Sequence, residues 1–277
     1  MSNQSRDLST NPSADTARFV TWLGWIIAAV GCVVIVMRLV WPSAMTGSAR
    51  WPEVLLLAGL KVTLVASLCR QLPLQNVLLA AAVTAGFGGI AHGVNAWAGV
   101  PFGPQVFTGS AGPELFGKLP VTLPLVWVVV ILSSRGVARL VLRPWRKLRA
   151  YGLWLIGFTA LLTALLAGGL EPFASRTEHY WYWGKTRIPV DWHGVPVTVF
   201  LCWALMTLLI MAFITPPLIN KKTSRQSAPD FHPLAAWLVL GVLFGIGAAT
   251  ERMASAVVYC VLTTLLVGVF AMRGARW

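Results

Sequence analysis

Apolar residues run along this chain in long unbroken blocks, each ended by a short polar or proline-containing stretch. Taken in order, the blocks are Phe19–Trp41, Pro52–Cys69, Leu74–Trp97, Leu119–Leu142, Ala150–Leu170, Val195–Leu218, Leu234–Thr250 and Ala254–Met272. A helix of about 20 apolar residues crosses a hydrocarbon layer of roughly 30 Å. The pattern therefore predicts an all-α fold, a polytopic integral membrane bundle of eight transmembrane helices, with boundaries good to about four residues.

The second and third blocks are separated only by the stretch around Arg70 and Pro73, and the last two only by Glu251 and Arg252, so each pair is expected to form an antiparallel hairpin. Ahead of the first block, residues 1–18 are polar and mixed in charge, which reads as a disordered cytoplasmic tail rather than a secretory leader. Residues 19–277 are expected to form a single membrane domain.

Composition agrees: 57% hydrophobic and 11% charged residues, with a mean hydropathy of +0.71, exclude an ordinary soluble domain. A net charge of +13 would point to nucleic acid in a soluble protein. Here the excess sits in short loops, where it sets topology, and no nucleic-acid partner is expected. Arg135, Arg139, Arg143, Arg146, Lys147 and Arg149 follow the fourth block, and Lys221, Lys222 and Arg225 follow the sixth. Both loops should face the cytoplasm, which puts both termini inside, in a bacterial cytoplasmic membrane. The first run also has the composition of a site for anionic lipid head groups or an acidic partner. The loops Gly99–Lys118 and Glu171–Gly194 then lie together on the opposite side.

Soluble-enzyme signatures are absent. The run Gly86-Phe87-Gly88-Gly89-Ile90-Ala91 has dinucleotide-fingerprint spacing but lies inside an apolar block, and Ala81, Ala85, Gly89 and Gly93 recur every four residues, as in close helix packing. The cysteines Cys32, Cys69, Cys202 and Cys260 are scattered and read as small core residues. Of the imidazoles His92, His179, His193 and His232, only His179 and His193 share a loop, without the short spacing of a zinc site. No metal and no cofactor are expected. Lys61, near the middle of the second block, must snorkel, pair or serve a function.

Polar and aromatic residues collect in the Glu171–Gly194 loop, with Glu171, Glu178, Asp191, His179, His193, Tyr180, Trp181, Tyr182, Trp183 and Trp192. An interfacial aromatic belt accounts for the rings but not for the acids. On the third block His92, Asn95 and Gly99 follow at i, i+3 and i+7 and share a helix face rising toward the same side. His92 is either a helix–helix hydrogen bond or part of a site.

Gly99-Val100-Pro101-Phe102-Gly103, Leu119-Pro120, Pro124-Leu125-Val126-Trp127, Glu171-Pro172, Trp181-Tyr182-Trp183 and Gly194-Val195-Pro196 with Phe200 and Trp203 resemble, in order and spacing, the carotenoid biosynthesis membrane proteins, which include carotenoid 1,2-hydratases acting on gamma-carotene and bisanhydrobacterioruberin. The resemblance covers the third to sixth blocks. The chain departs from the family pattern at His92, where a Glu is usual, at Ala98, at Gln105 and Phe107, at Glu171 in place of Asp, and at Val199 in place of Asn.

The resemblance implies addition of water across the terminal double bond of an acyclic carotenoid end, without a redox cofactor. A carboxyl group in an apolar setting can hold and donate the proton an alkene needs. Aromatic faces can stabilise the resulting tertiary cation, and a polar group can handle the water. Glu171 is the expected acid and His92 the expected base, with Asp191 and Glu178 in reserve. Trp181, Trp183, Phe102, Trp203 and Asn95 are expected to bind substrate, and His92 and Glu171 to line one cavity. Partners would be a carotenoid or other isoprenoid lipid, membrane lipids, and a second copy or other carotenoid enzymes. The rival readings are a non-catalytic lipid-binding or assembly protein and a transporter.

Overall fold

The computed structural model describes residues 12–41, 51–111, 113–115, 117, 119–184, 186, 188, 190–219 and 228–277. The described helices are α1 (Pro12–Val40), α2 (Trp51–Cys69), α3 (Leu74–Ala98), α4 (Thr122–Val141), α5 (Tyr151–Pro172), α6 (Val197–Ile214), α7 (His232–Thr250) and α8 (Ala254–Ala275). Eight helices among the described residues are long and apolar enough to cross a membrane.

Differences from the apolar blocks lie at their edges. Pro12 already starts α1, so residues 12–18, expected in a polar tail, carry its first turns, with Asp15 and Arg18 facing each other at 3.6 Å; residues 1–11 lie outside the described residues. Leu119–Pro120 forms β3, pairing with β2 (Glu114–Leu115), and Val195–Pro196 forms β6, pairing with β5 (Asp191–Trp192), so α4 and α6 begin a few residues late. Conversely, α5 runs past Leu170 and through Pro172 into one wide turn, Phe173–Thr177.

At the centre stands α4, packed by α2, α3, α5, α7 and α8. Its sequence from Trp127 to Leu132 is buried without interruption, as expected of a helix apolar on every side. The outer helices instead expose large apolar side chains such as Trp22, Ile26, Val261, Leu265 and Phe270, a surface suited to lipid.

Backbones approach closely between α1 and α2, where a Cβ on Gly59 would run into the Ala28 backbone and one on Gly31 into the Leu56 backbone. The Ala81–Gly93 stripe does less than its spacing predicts. A Cβ on Gly93 would meet nothing within 4 Å, and Gly89 has only Pro124 and Leu119 nearby.

Arg139 bonds Gln71 at 3.4 Å, Asn76 the Pro217 carbonyl at 3.0 Å, and Trp25 the His232 ring at 3.0 Å, which groups the α2–α3, α4–α5 and α6–α7 connections at one end of the bundle. Lys221, Lys222 and Arg225 of the expected positive loop lie outside the described residues. At the opposite end β1 (Gln105–Phe107) and β4 (Trp181–Trp183) form an antiparallel ladder, extended by Thr108 N–H on Tyr180 and Gly184 N–H on Pro104. This ladder stitches the two long loops together.

Candidate functional site

Glu171 closes α5 and is 0% exposed. Proline at the next position has no N–H, so the Gly168 carbonyl loses its helical donor, and Trp192 Nε1 supplies one instead at 3.0 Å. With that carbonyl satisfied, the helix continues past Pro172 and carries Glu171 inward, away from any interface water.

Three indoles converge on its carboxyl group. Trp203 Nε1 donates to Oε1 at 2.7 Å, while Trp181 Nε1 and Trp183 Nε1 each donate to Oε2 at 3.1 Å. Trp181 and Trp183 are two residues apart on β4 and so share a strand face, which is why both reach one oxygen. An indole N–H only donates, so the carboxyl group is the acceptor in all three bonds.

A second group forms around His92, which is fully buried. Its ring stacks on Phe102 at 4.5 Å and 8°, and its Nδ1 lies 3.3 Å from Gln105 Oε1. His92 Nε2 is buried without a partner among the described residues. Asn95 ties down the same loop: its Oδ1 accepts the Phe102 and Gly103 N–H groups at 2.9 and 3.2 Å, and its Nδ2 donates to the Gly103 carbonyl and Gln105 Oε1. The amide therefore serves the loop. Trp203 joins the two groups, with its ring 6.5 Å from the His92 ring and its N–H on Glu171. It stacks on Trp127 at 4.0 Å, and Trp127 in turn occupies the space that a Cβ on Gly88 would need.

Sequence reasoning named Glu178 as a reserve acid but missed the third group it belongs to. Arg38 at the end of α1 reaches both Glu53 and Glu178, the latter at 2.6 Å, and the Tyr180 hydroxyl donates to Glu53 Oε1 at 2.8 Å. Burial pushes the Glu178 carboxyl above its ordinary value, against the pull of the Arg38 guanidinium. Glu53 Oε2 has no partner among the described residues. Glu53 also stands in the wall of a cavity of about 50 Å³ between α1, α2, α4, α5 and α7, with Thr122, Phe173, Tyr180, Trp181 and Phe244. Trp181 is thus common to two settings: it lines this cavity and its N–H holds Glu171. Neither Glu171 nor His92 lines the cavity.

Of the remaining expected site residues, Asp191 is exposed and accepts the Gly194 N–H at 2.8 Å, shaping the β5–β6 turn. His179, His193 and His232 make separate contacts with the Ser175 carbonyl, the Ser255 hydroxyl and the Trp25 indole. Lys61 is half-buried on α2, with no carboxylate among the described residues within ion-pair distance.

Fold and site together define a class, a multi-pass helical membrane protein with buried carboxyl groups and clustered indoles at one boundary of the bundle. The family model described as carotenoid biosynthesis protein matches residues 51–271, and the chain belongs to that family. It is a membrane protein of carotenoid biosynthesis, in contact with isoprenoid substrates and lipids. The match takes in Glu53, Glu171 and Glu178, while Arg38 lies before it. No curated protein and no solved structure matches the chain.

Proposed function

We propose that the protein hydrates the terminal double bond of an acyclic carotenoid end group, by acid–base catalysis and without a cofactor. The observation that carries this reading is the small apolar cavity with one carboxyl group, Glu53, in its wall and one indole, Trp181, hydrogen-bonded behind it to a second carboxyl group, Glu171. At about 50 Å³ it has room for a few waters at roughly 10–15 Å³ each, so entry of a carotenoid end requires the lining side chains to give way.

In this reading Glu53 is the acid. Glu53 and Glu178 share the Arg38 guanidinium, and Glu53 brings one proton to the alkene. That proton passes from Glu53 to the terminal alkene carbon nearer the chain, the π bond breaks, and the positive charge is left on the tertiary carbon. The ring of Trp181 stabilises the cation by about 0.5–2 kcal/mol, and Phe173 and Phe244 line the same space. Water then forms the C–O bond and returns a proton to the carboxylate, giving a tertiary alcohol. Glu171 acts one indole away, its carboxyl oxygens fixing the rings whose N–H groups they accept. His92 and Asn95 hold the loop over the site, and Asp191 shapes a turn outside it. We place the chain in the bacterial cytoplasmic membrane with both termini inside, which puts this site at the outer boundary.

The test is expression in a lycopene-accumulating bacterial host with mass analysis of the pigment. A gain of one water per modified end is expected, and Glu53→Gln should lower it by at least about 10²-fold with the protein still inserted. Pigment that co-purifies with the wild-type protein yet stays unmodified would replace the enzyme with a binding protein.

A further inference from the structure

The basic run expected in the loop after the fourth block begins inside α4, which holds Arg135 and Arg139, and it is more than a topology signal in this structure. Arg135, Arg139, Arg143 and Arg146 follow one another every three or four residues, which keeps them on one side of the helix and of the tight turn Arg143–Trp145 that extends it. Arg139, Arg143 and Arg146 line a concavity of about 120 Å³ at the end of the bundle opposite Glu171, together with Gln71, Tyr151 and Asp230. Asp230 already accepts hydrogen bonds from the Ser67 hydroxyl and, at 3.1 Å, from the His232 N–H. Among the described residues that line it, three guanidinium groups stand with this one carboxylate, so the wall is predominantly basic.

Beneath it, Arg135 is 4% exposed and gives one N–H to the Leu218 carbonyl at 3.0 Å, while its Nε has no partner. Among the described residues no carboxylate lies within ion-pair distance of Arg135 or Arg139. Orienting a membrane protein needs positive charge in a loop, but it does not need a guanidinium taken out of water without a counter-charge, which is costly.

We propose that this concavity binds a phosphate group. Tetrahedral oxyanions match the planar fork of arginine, Tyr151 and Gln71 add neutral polar groups to the wall, and the bound charge would offset that of Arg135. Trp145, Leu148 and Trp154 are exposed around the same corner, as side chains at a membrane boundary are, so the phosphodiester of an anionic phospholipid is the favoured source and a free phosphorylated molecule the other. The site is independent of the hydration chemistry at the far end.

The experiment uses the full chain in neutral detergent, with thermal midpoints read against added short-chain phosphatidylglycerol, phosphatidylcholine of the same chain length, or inorganic phosphate at matched ionic strength. Phosphatidylglycerol should raise the midpoint and phosphatidylcholine should not. Arg139→Gln and Arg143→Gln, made singly to spare insertion, should each weaken the apparent affinity by about tenfold, the loss of one charge-assisted hydrogen bond. Lys147→Gln with Arg149→Gln, which removes more charge from outside the concavity, should leave it unchanged. A response to inorganic phosphate as well as to the lipid supports phosphate recognition as such; a response to phosphate alone makes the source a free molecule. No response to either, or equal weakening by the Lys147 and Arg149 pair, overturns the site.

Discussion

Replacing Glu171 by Gln is the obvious probe of a buried acid, and the three indoles make its outcome more specific than loss of a proton. A Gln amide has one accepting oxygen and one donating nitrogen. Placed with its oxygen where Oε2 sits, it keeps Trp181 and Trp183, and its NH₂ then faces the Trp203 N–H, which bonds Oε1 at 2.7 Å in the native protein. The reverse placement sets NH₂ against two donors and is worse. The better rotamer therefore exchanges a hydrogen bond to a carboxyl oxygen, worth about 0.5–1.5 kcal/mol, for an unmatched buried donor that costs about 1–3 kcal/mol.

Replacing the buried carboxyl group has its own effect on stability, so the single variant does not isolate this contribution. A double-mutant cycle with Trp203→Phe does, because Phe deletes the conflicting donor while keeping an aromatic ring against Trp127. The coupling should be about 2 kcal/mol, meaning that Glu171→Gln is tolerated better in the Trp203→Phe background than with the native indole in place. For a domain of this size that corresponds to about 4–8 °C in the midpoint of a circular dichroism melt in detergent, compared at one scan rate. A coupling below about 0.5 kcal/mol would refute the assignment of a donor-only shell around the carboxyl group. The same reasoning bears on activity. A Glu171→Gln protein that fails to hydrate carotenoid has also lost a hydrogen-bond shell, so Glu53→Gln is the cleaner test of the acid.

Further outcomes follow from other parts of the structure. Trp192→Phe should destabilise the protein by about 1–3 kcal/mol by orphaning the Gly168 carbonyl, and Pro172→Ala, which restores the helical N–H, should recover most of that loss in the double variant; no recovery in thermal melts would mean that Trp192 matters only through its packing on Tyr259. Reporter fusions at Gly112 and Lys185, both outside the described residues, should behave as periplasmic and those at Lys147 and Ser224 as cytoplasmic; the reverse pattern would invert the membrane orientation.

The eight helices were legible because each apolar block exceeds what a buried soluble helix needs and the breaks between them are short. Their ends were less so. Leu119–Pro120 and Val195–Pro196 are as apolar as the helices they precede, yet both pair as strands, a choice made by the chain on the other side of the ladder. Pro172 misleads in the opposite sense, since a proline reads as a stop. Trp192, twenty residues later in the chain, satisfies the carbonyl that the proline frees, and no local pattern announces such a donor.

The site shows the same division. Glu171, Trp181, Trp183 and Trp203 could be picked out as acids and rings in the right loops, and the two-residue spacing of Trp181 and Trp183 already places both on one strand face. Their N–H groups, rather than their ring faces, meet the acid because β4 is anchored by β1, a pairing between loops more than seventy residues apart in sequence. Arg38 near the end of α1, Glu53 in the first turn of α2 and Glu178 just after the wide turn Phe173–Thr177 come from three separate stretches of the chain. In sequence each looks like an ordinary helix-end residue. The cue was their sign and side: Arg38 precedes a connection on the face that the positive-inside pattern assigns to the exterior, where topology does not call for an arginine, and Glu53 follows it. A charge that topology does not require gains from a counter-charge when it is half-buried, and here two carboxyl groups supply it. On the proposed reading a polyene in the hydrocarbon layer brings its end to the boundary, where water is close by, and Glu53 meets it in the cavity that Trp181 lines.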